Sequence, residues 1–182
     1  MGSSQYVALL RAVNVGGAVV DPAALRSTAE SLGYARVRSW LRTGNLVFEA
    51  PSSPSPRLEA DLERAAASRL GLPTVVVVRT ATEWERTVEE NPFTDFARTD
   101  PSHLLVVALK GATPSERVEE FGSTIQGRER VAAGPGCVYA TYPDGIGRSR
   151  LTLPRLERDL GVLGTGRNWN TVLRLHRMLG SP

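Results

Sequence analysis

The sequence predicts an α+β protein of two subdomains, each opening as strand, helix, strand, strand, helix. Three observations carry this reading. Short apolar runs alternate with segments of helical period, and Thr74–Val78, a run of β-branched residues, is the clearest of the strands. Asp21-Pro22 and Thr113-Pro114 each place a capping side chain before a proline, which marks a helix start at the corresponding point of each half. Thr43-Gly44-Asn45 and Gly134-Pro135-Gly136 then join the middle pair of strands in each half as tight turns.

Residues 5–11 are mostly apolar with little alternation, as in a strand covered on both faces. After the turn at Asn14, Gly16 and Gly17, Asp21 suits the N-cap, and Pro22 lacks only an N–H that would be unpaired there anyway. Val20 and Leu25 stand at the spacing of a hydrophobic staple. Leu25, Ala29 and Leu32 form the buried stripe, and Gly33 is placed to end the helix. From Ala35 to Leu41 the pattern alternates, with Val37, Ser39 and Leu41 on one side and Arg36, Arg38 and Trp40 on the other. The hairpin turn leads into Leu46–Phe48, and a Pro/Ser loop from Pro51 to Pro56 leads to a helix. Leu58, Leu62, Ala65, Ala66 and Leu70 keep its period up to Gly71. With Thr74–Val78 the order is strand-helix-strand-strand-helix-strand. That is the ferredoxin-like unit, in which helices cover one face of an antiparallel sheet.

After Arg79 the chain starts over. Thr82 opens a short helix carrying Trp84 and Val88, stopped by Asn91-Pro92. A polar connection leads to the strand His103–Leu109, the helix after Thr113-Pro114 runs through Phe121, and strands follow near Glu129–Ala132 and Val138–Tyr142. Beyond the glycine loop Asp144–Gly147, Leu153, Leu156 and Leu160 mark another helix. Trp169, Val172, Leu173, His176 and Leu179 share one face of the last. The expectation is a ferredoxin-like subdomain over 1–79, a helix and connection over 80–100, and a modified α+β subdomain over 101–182. In the latter a terminal helix stands in place of the fourth strand.

Composition narrows the function classes. The 182 residues carry 41% hydrophobic and 23% charged residues, the balance of an ordinary globular chain. No apolar run approaches the roughly 18 residues of a membrane span, and the first residues lack a basic-then-apolar leader, so the expected location is the cytoplasm. A single cysteine, Cys137, excludes an internal disulfide and a thiolate metal cage. His103 and His176 have no partner at ligand spacing, so neither a metal nor a cofactor is expected. The net charge is only +3, but Lys110 is the sole lysine. Arginine favours bidentate contact with phosphate or carboxylate, although a GC-rich genome enriches arginine for reasons unrelated to function.

The polar turns are the candidate sites. Asn14-Val15-Gly16-Gly17 follows a strand and precedes a helix, where backbone N–H groups can converge on an anion, with Arg11 adding charge. It has no Gly-Lys-Ser/Thr and is not a G-x-G-x-x-G fingerprint. A glycine turn with a locally paired arginine explains it equally simply. Gly147-Arg148-Ser149-Arg150 and Thr165-Gly166-Arg167-Asn168 each set arginines just before a helix, where the dipole favours negative charge. Plain capping by Thr152 and Asn168 is the structural alternative. Ser149 needs an adjacent base to act as a nucleophile, and no histidine or carboxylate nearby in the sequence supplies one. The Arg36/Arg38/Trp40 stripe resembles a nucleic-acid-binding sheet face in charge but lacks the paired aromatics of one.

The segments Y-V-A-L-L-R-A-V-N-V-G-G (6–17), T-G-N-L-V-F (43–48), N-P-F (91–93), Y-P-D-G-I-G-R-S-R-L (142–151) and R-N-W-N-T-V (167–172) together resemble the domain of unknown function 1697 family. The resemblance implies a cytoplasmic bacterial protein of two ferredoxin-like-related subdomains, and it implies no activity. Ala18-Val19-Val20 departs from the lysine or asparagine common after the double glycine in that family, and Thr43 and Arg150 stand where serine and lysine are common. Arg11, Asn14, Gly16, Gly17, Gly44, Asn45, Ser149, Arg167, Asn168 and Trp169 match.

Three functions remain open at this level. The first is binding of a small anionic ligand, a nucleotide or other phosphorylated metabolite, in a polar cleft between the subdomains. Arg11, Arg150 and Arg167 would neutralise charge, Gly16, Gly17, Gly44 and Gly166 would admit the ligand to the backbone, and Asn14, Thr43, Asn45, Ser149 and Asn168 would orient it. The second is an interaction module whose motif residues lock the subdomains. The third is binding of single-stranded nucleic acid.

Overall fold

The computed structural model describes residues 2–11 and 20–180. Residues 12–19, and with them Asn14, Gly16 and Gly17, lie outside the described residues, as do 1, 181 and 182. The chain forms two compact units, Met1–Trp84 with Leu175–Pro182, and Glu85–Arg174.

The first unit contains β1 (Ser3–Leu10), α1 (Pro22–Glu30), β2 (Ala35–Trp40), β3 (Asn45–Pro51), α2 (Ser55–Leu70) and β4 (Val76–Thr80). Its sheet order is β2-β3-β1-β4, antiparallel throughout. Alternate residues of β1 and β3 explain the core: Tyr6, Ala8 and Leu10 with Leu46, Phe48 and Ala50 face Leu25 and Ala29 of α1 and Leu58 and Leu62 of α2. Phe48 stacks between Tyr6 and Tyr34, at centroid distances of 5.6 and 4.7 Å. Val7 and Leu9 on the other face are buried as well, as the unbroken apolar run required.

Polar groups complete the elements. The Asp21 carboxylate accepts the Ala23 N–H at 3.1 Å, with Pro22 beside it in the first turn. The hairpin loop 41–44 turns at Leu41 (φ 57°) and Gly44 (φ 74°), the second a conformation that glycine adopts freely. The outward N–H groups of the edge strand β4 meet two glutamates on α2, buried Glu59 and half-buried Glu63. Val78 N–H donates to Glu59 at 2.9 Å and Val76 N–H to Glu63 at 2.9 Å, so the edge offers no open ladder there. On the opposite edge, β2 is bulged between Ala35 and Arg38, with Arg36 at φ 48°.

The second unit contains α4 (Thr94–Thr99), β5 (Leu104–Leu109), α5 (Ser115–Ser123), β6 (Arg130–Gly134), β7 (Cys137–Thr141), a 3₁₀ turn over Ile146–Arg148, α6 (Leu153–Leu160) and β8 (Gly164–Asn168). The helices α3 (Ala81–Glu89) and α7 (Trp169–Leu179) run across the two unit boundaries. The sheet order β6-β7-β5-β8 repeats that of the first unit, and again every pairing is antiparallel. Val107, Leu109, Val138 and Ala140 pack on Val118 and Phe121 of α5 and on Leu156 and Leu160 of α6. Even the edge device recurs: buried Glu157 on α6 accepts the Gly164 N–H at 2.9 Å.

The fold is the α+β, twice ferredoxin-like arrangement that the sequence predicts, with a C-terminal helix. Some particulars differ. The fourth strand of the second half is present as β8, so α7 is an addition to it and not its replacement. The last residues of α7, from Leu175, group with the first unit instead of closing a subdomain over 101–182. Pro114, not Thr113, occupies the N-cap position of α5, and no side chain caps that helix.

Candidate functional site

The described site residues fall into three local settings. In the first unit, β-sheet register gathers Arg11, Gly44 and Asn45 at the end of β1. Leu10 N–H donates to the Gly44 carbonyl and Arg11 N–H to the Val75 carbonyl, each at 2.8 Å, and Leu9 faces Asn45 across the sheet. Asn45 is fully buried, and its amide nitrogen donates to the Trp40 carbonyl at 2.8 Å and to the Thr43 hydroxyl at 2.9 Å. These bonds hold the hairpin turn closed on itself. Arg38 of the neighbouring stripe donates to the Met178 carbonyl near the C-terminus of α7, where a cation is favoured.

In the second unit, Arg167 lies on β8 opposite Val106 and is buried. Its guanidinium donates to the Thr165 hydroxyl and the Gly166 carbonyl, both at 2.8 Å. Burial holds it below arginine's usual range, at about 10. Asn168 caps α7, accepting the Thr171 N–H at 3.0 Å.

The third setting has the geometry of an open site. Buried Tyr142 and Leu151 bracket the loop 142–151, and the Tyr142 hydroxyl donates to the Leu151 carbonyl at 3.1 Å. Desolvation in that position raises the phenol to about 12, so it stays a neutral donor at physiological pH. With both ends pinned in the core, the intervening Ile146–Arg148 turn and Arg150 are presented outward. The Leu151 N–H donates to the Ser149 hydroxyl at 2.9 Å, and that hydroxyl donates to Glu129. The Ser149 hydrogen bond, followed by the residue's own backbone N–H, keeps the Glu129 carboxyl below the usual carboxylate range. Glu129 therefore supplies the neighbouring carboxylate that sequence inspection does not find for Ser149. It stands 20 residues away in sequence, and only the return of β7 beside β6 brings the two together.

Arg148 and Arg150 flank Ser149 on a cleft of about 530 Å³, and Arg155 from the first half of α6 lines it too. Arg148 and Arg150 are exposed and have no ion-pair or hydrogen-bond partner among the described residues. Arg155 is fixed. It donates to the Thr124 hydroxyl at 3.1 Å, lies 5.6 Å over the Phe121 ring, and has Asp159 at 3.6 Å. The cleft thus combines two free guanidinium groups, one anchored guanidinium, and a Ser–Glu pair. It is arranged to accept negative charge beside a hydroxyl. Arg148, Ser149 and Arg150 were visible in the sequence as one motif. Arg155 carried no signal beyond its place on a helix.

A duplicated ferredoxin-like α+β protein with an arginine-lined cleft in its second unit is the class that fold and geometry define. The chain belongs to the family described as "Protein of unknown function (DUF1697)", whose model matches residues 3–139. That match ends before the cleft loop and β8. A solved structure of a conserved bacterial protein, SP0830 from Streptococcus pneumoniae, is similar with a TM-score of 0.77. It is 20% identical, over 98% of this chain and 99% of that one, a likeness that shows the fold. No curated protein matches the chain. Among the described residues no helix is long and apolar enough to cross a membrane.

Proposed function

We propose that this is a cytoplasmic protein that binds a small anionic, phosphorylated ligand through the Arg148/Arg150/Arg155 cleft of its second unit. The observation that carries the reading is a pair of exposed arginines without partners, Arg148 and Arg150, on either side of a hydroxyl clamped between Glu129 and the Leu151 N–H. Unpaired guanidinium groups supply bidentate donors, and the pinned loop leaves only the two side chains to be ordered on binding. Arg155 adds a third positive charge in a position already set by Thr124. The bonds of Asn45 to Trp40 and Thr43 and the capping by Asn168 favour structural roles for those two residues, so the anion reading rests on the loop.

Calorimetric titration of the full chain with pyrophosphate, at low and at moderate salt, tests this. Saturable one-to-one binding that weakens as salt rises is the expected result, because exposed charges are screened over about 10 Å at 0.1 M ionic strength. Absence of binding at low salt would remove the proposal.

A further inference from the structure

A second groove, of about 700 Å³, adjoins the arginine cleft, and the two share Gly127 and Glu129 as walls. Phe93 and Phe96, both half-buried, line it together with Asp95, Arg128 and Arg130. The Phe93 position follows from the Asn91-Pro92-Phe93 motif: the buried Asn91 side chain accepts the Phe93 N–H at 3.0 Å, and the Phe93 carbonyl then accepts from Ala97 at 2.8 Å to open α4. Gly127 matters at the shared wall, because a Cβ there would overlap the Glu129 carboxylate.

Resting on the anion-binding reading above, we propose that the ligand is a nucleoside monophosphate lying across both grooves. Its phosphate meets Arg148, Arg150 and Arg155, its ribose lies at Glu129, and its base lies against Phe93 and Phe96. Glu129 belongs to both grooves, with Arg148, Arg150 and Arg155 lining the one and Phe93 and Phe96, beside Asp95, Arg128 and Arg130, lining the other, so phosphate, ribose and base can be laid across them in that order. A carboxylate accepts hydrogen bonds from ribose hydroxyls. Aromatic side chains stack on the face of any base. A sugar phosphate without a base would leave the aromatic groove unused.

Calorimetry on the full chain with pyrophosphate, ribose 5-phosphate, adenosine 5′-monophosphate and a short single-stranded RNA separates the possibilities. The mononucleotide is expected to bind at least about ten-fold tighter than ribose 5-phosphate, in keeping with base stacking on an aromatic ring. Phe96→Ala and Phe96→Leu should both erase that difference while leaving ribose 5-phosphate binding unchanged. The leucine variant keeps the groove apolar, so a shared loss reports on the ring and not on folding. Equal affinity for the mononucleotide and ribose 5-phosphate would overturn this inference while leaving the anion cleft standing. RNA binding tighter than the mononucleotide would also overturn it. Failure of every phosphate to bind would remove both.

Discussion

Replacing Arg148 and Arg150 together with alanine is expected to lower the affinity for pyrophosphate by at least 100-fold and to leave the melting temperature within about 1 °C of the parent. A hydrogen bond to a charged group contributes about 1.5–3 kcal/mol, so two lost guanidinium contacts reach that fold-change even if their effects are not fully additive. The stability half of the prediction follows from exposure. Neither side chain has a partner among the described residues, and surface substitutions away from structural features typically change stability by about 0.5 kcal/mol or less. Arg155→Ala would be a poorer test, because it also removes bonds to Thr124, the contact over Phe121 and the approach to Asp159. Calorimetry and a thermal melt on the same preparation read both quantities. An unchanged affinity in the double variant would place the anion elsewhere.

The second large effect concerns the frame. Phe48→Ala in β3 should destabilise the first unit by about 3–5 kcal/mol, the range for emptying a buried aromatic site. Phe48 is 1% exposed and lies between two rings, Tyr6 and Tyr34, so the walls of the cavity are themselves aromatic and held by the sheet. Tyr6 has little freedom to collapse inward, since its hydroxyl both donates to the Ser53 carbonyl and accepts the Ser53 N–H. For a chain of this length about 2–4 °C of melting temperature accompanies each kcal/mol, so a fall of roughly 10 °C is expected. Pyrophosphate affinity measured below the transition should be unaltered, because the cleft belongs to the other compact unit. A thermal shift below about 3 °C would mean that the three-ring stack contributes little.

Much of this fold was legible because local and global signals agree. Asp21-Pro22 caps its helix as its residue types require, the alternating apolar sets of β1 and β3 become one packed face, and Thr152 caps α6 by accepting the Arg155 N–H. The elements that escaped have weak local signals. β8 reads Gly-Thr-Gly-Arg-Asn, with two glycines in five residues. Its extended state comes from five paired positions on β5, information carried by distant residues. The six-residue α4 is polar and too short for a periodic stripe. Thr113-Pro114 has the composition of a cap, yet proline takes the cap position itself.

The candidate site was half legible for a related reason. Arg148, Ser149 and Arg150 are contiguous, so their shared loop is visible in one dimension. Glu129, Arg155 and Phe93 join them only through folding, and no spacing rule connects those positions. Conversely, Asn45 and Arg167 read as polar candidates in sequence. The structure engages the Asn45 amide with its own turn and the Arg167 guanidinium with Thr165 and Gly166 of its own strand. Asn14, Gly16 and Gly17 lie outside the described residues.

The most direct measurement is an amide ¹H–¹⁵N shift map of the full chain during a pyrophosphate titration. Binding at the arginine cleft should move the Gly127, Ser149 and Leu151 amides first and furthest, with a common saturation curve, because these N–H groups line or brace the loop that carries the free guanidinium groups. If those three stay fixed while amides around Arg11, Gly44 and Asn45 shift and saturate, the anion site lies in the first unit and the account given for the second is wrong.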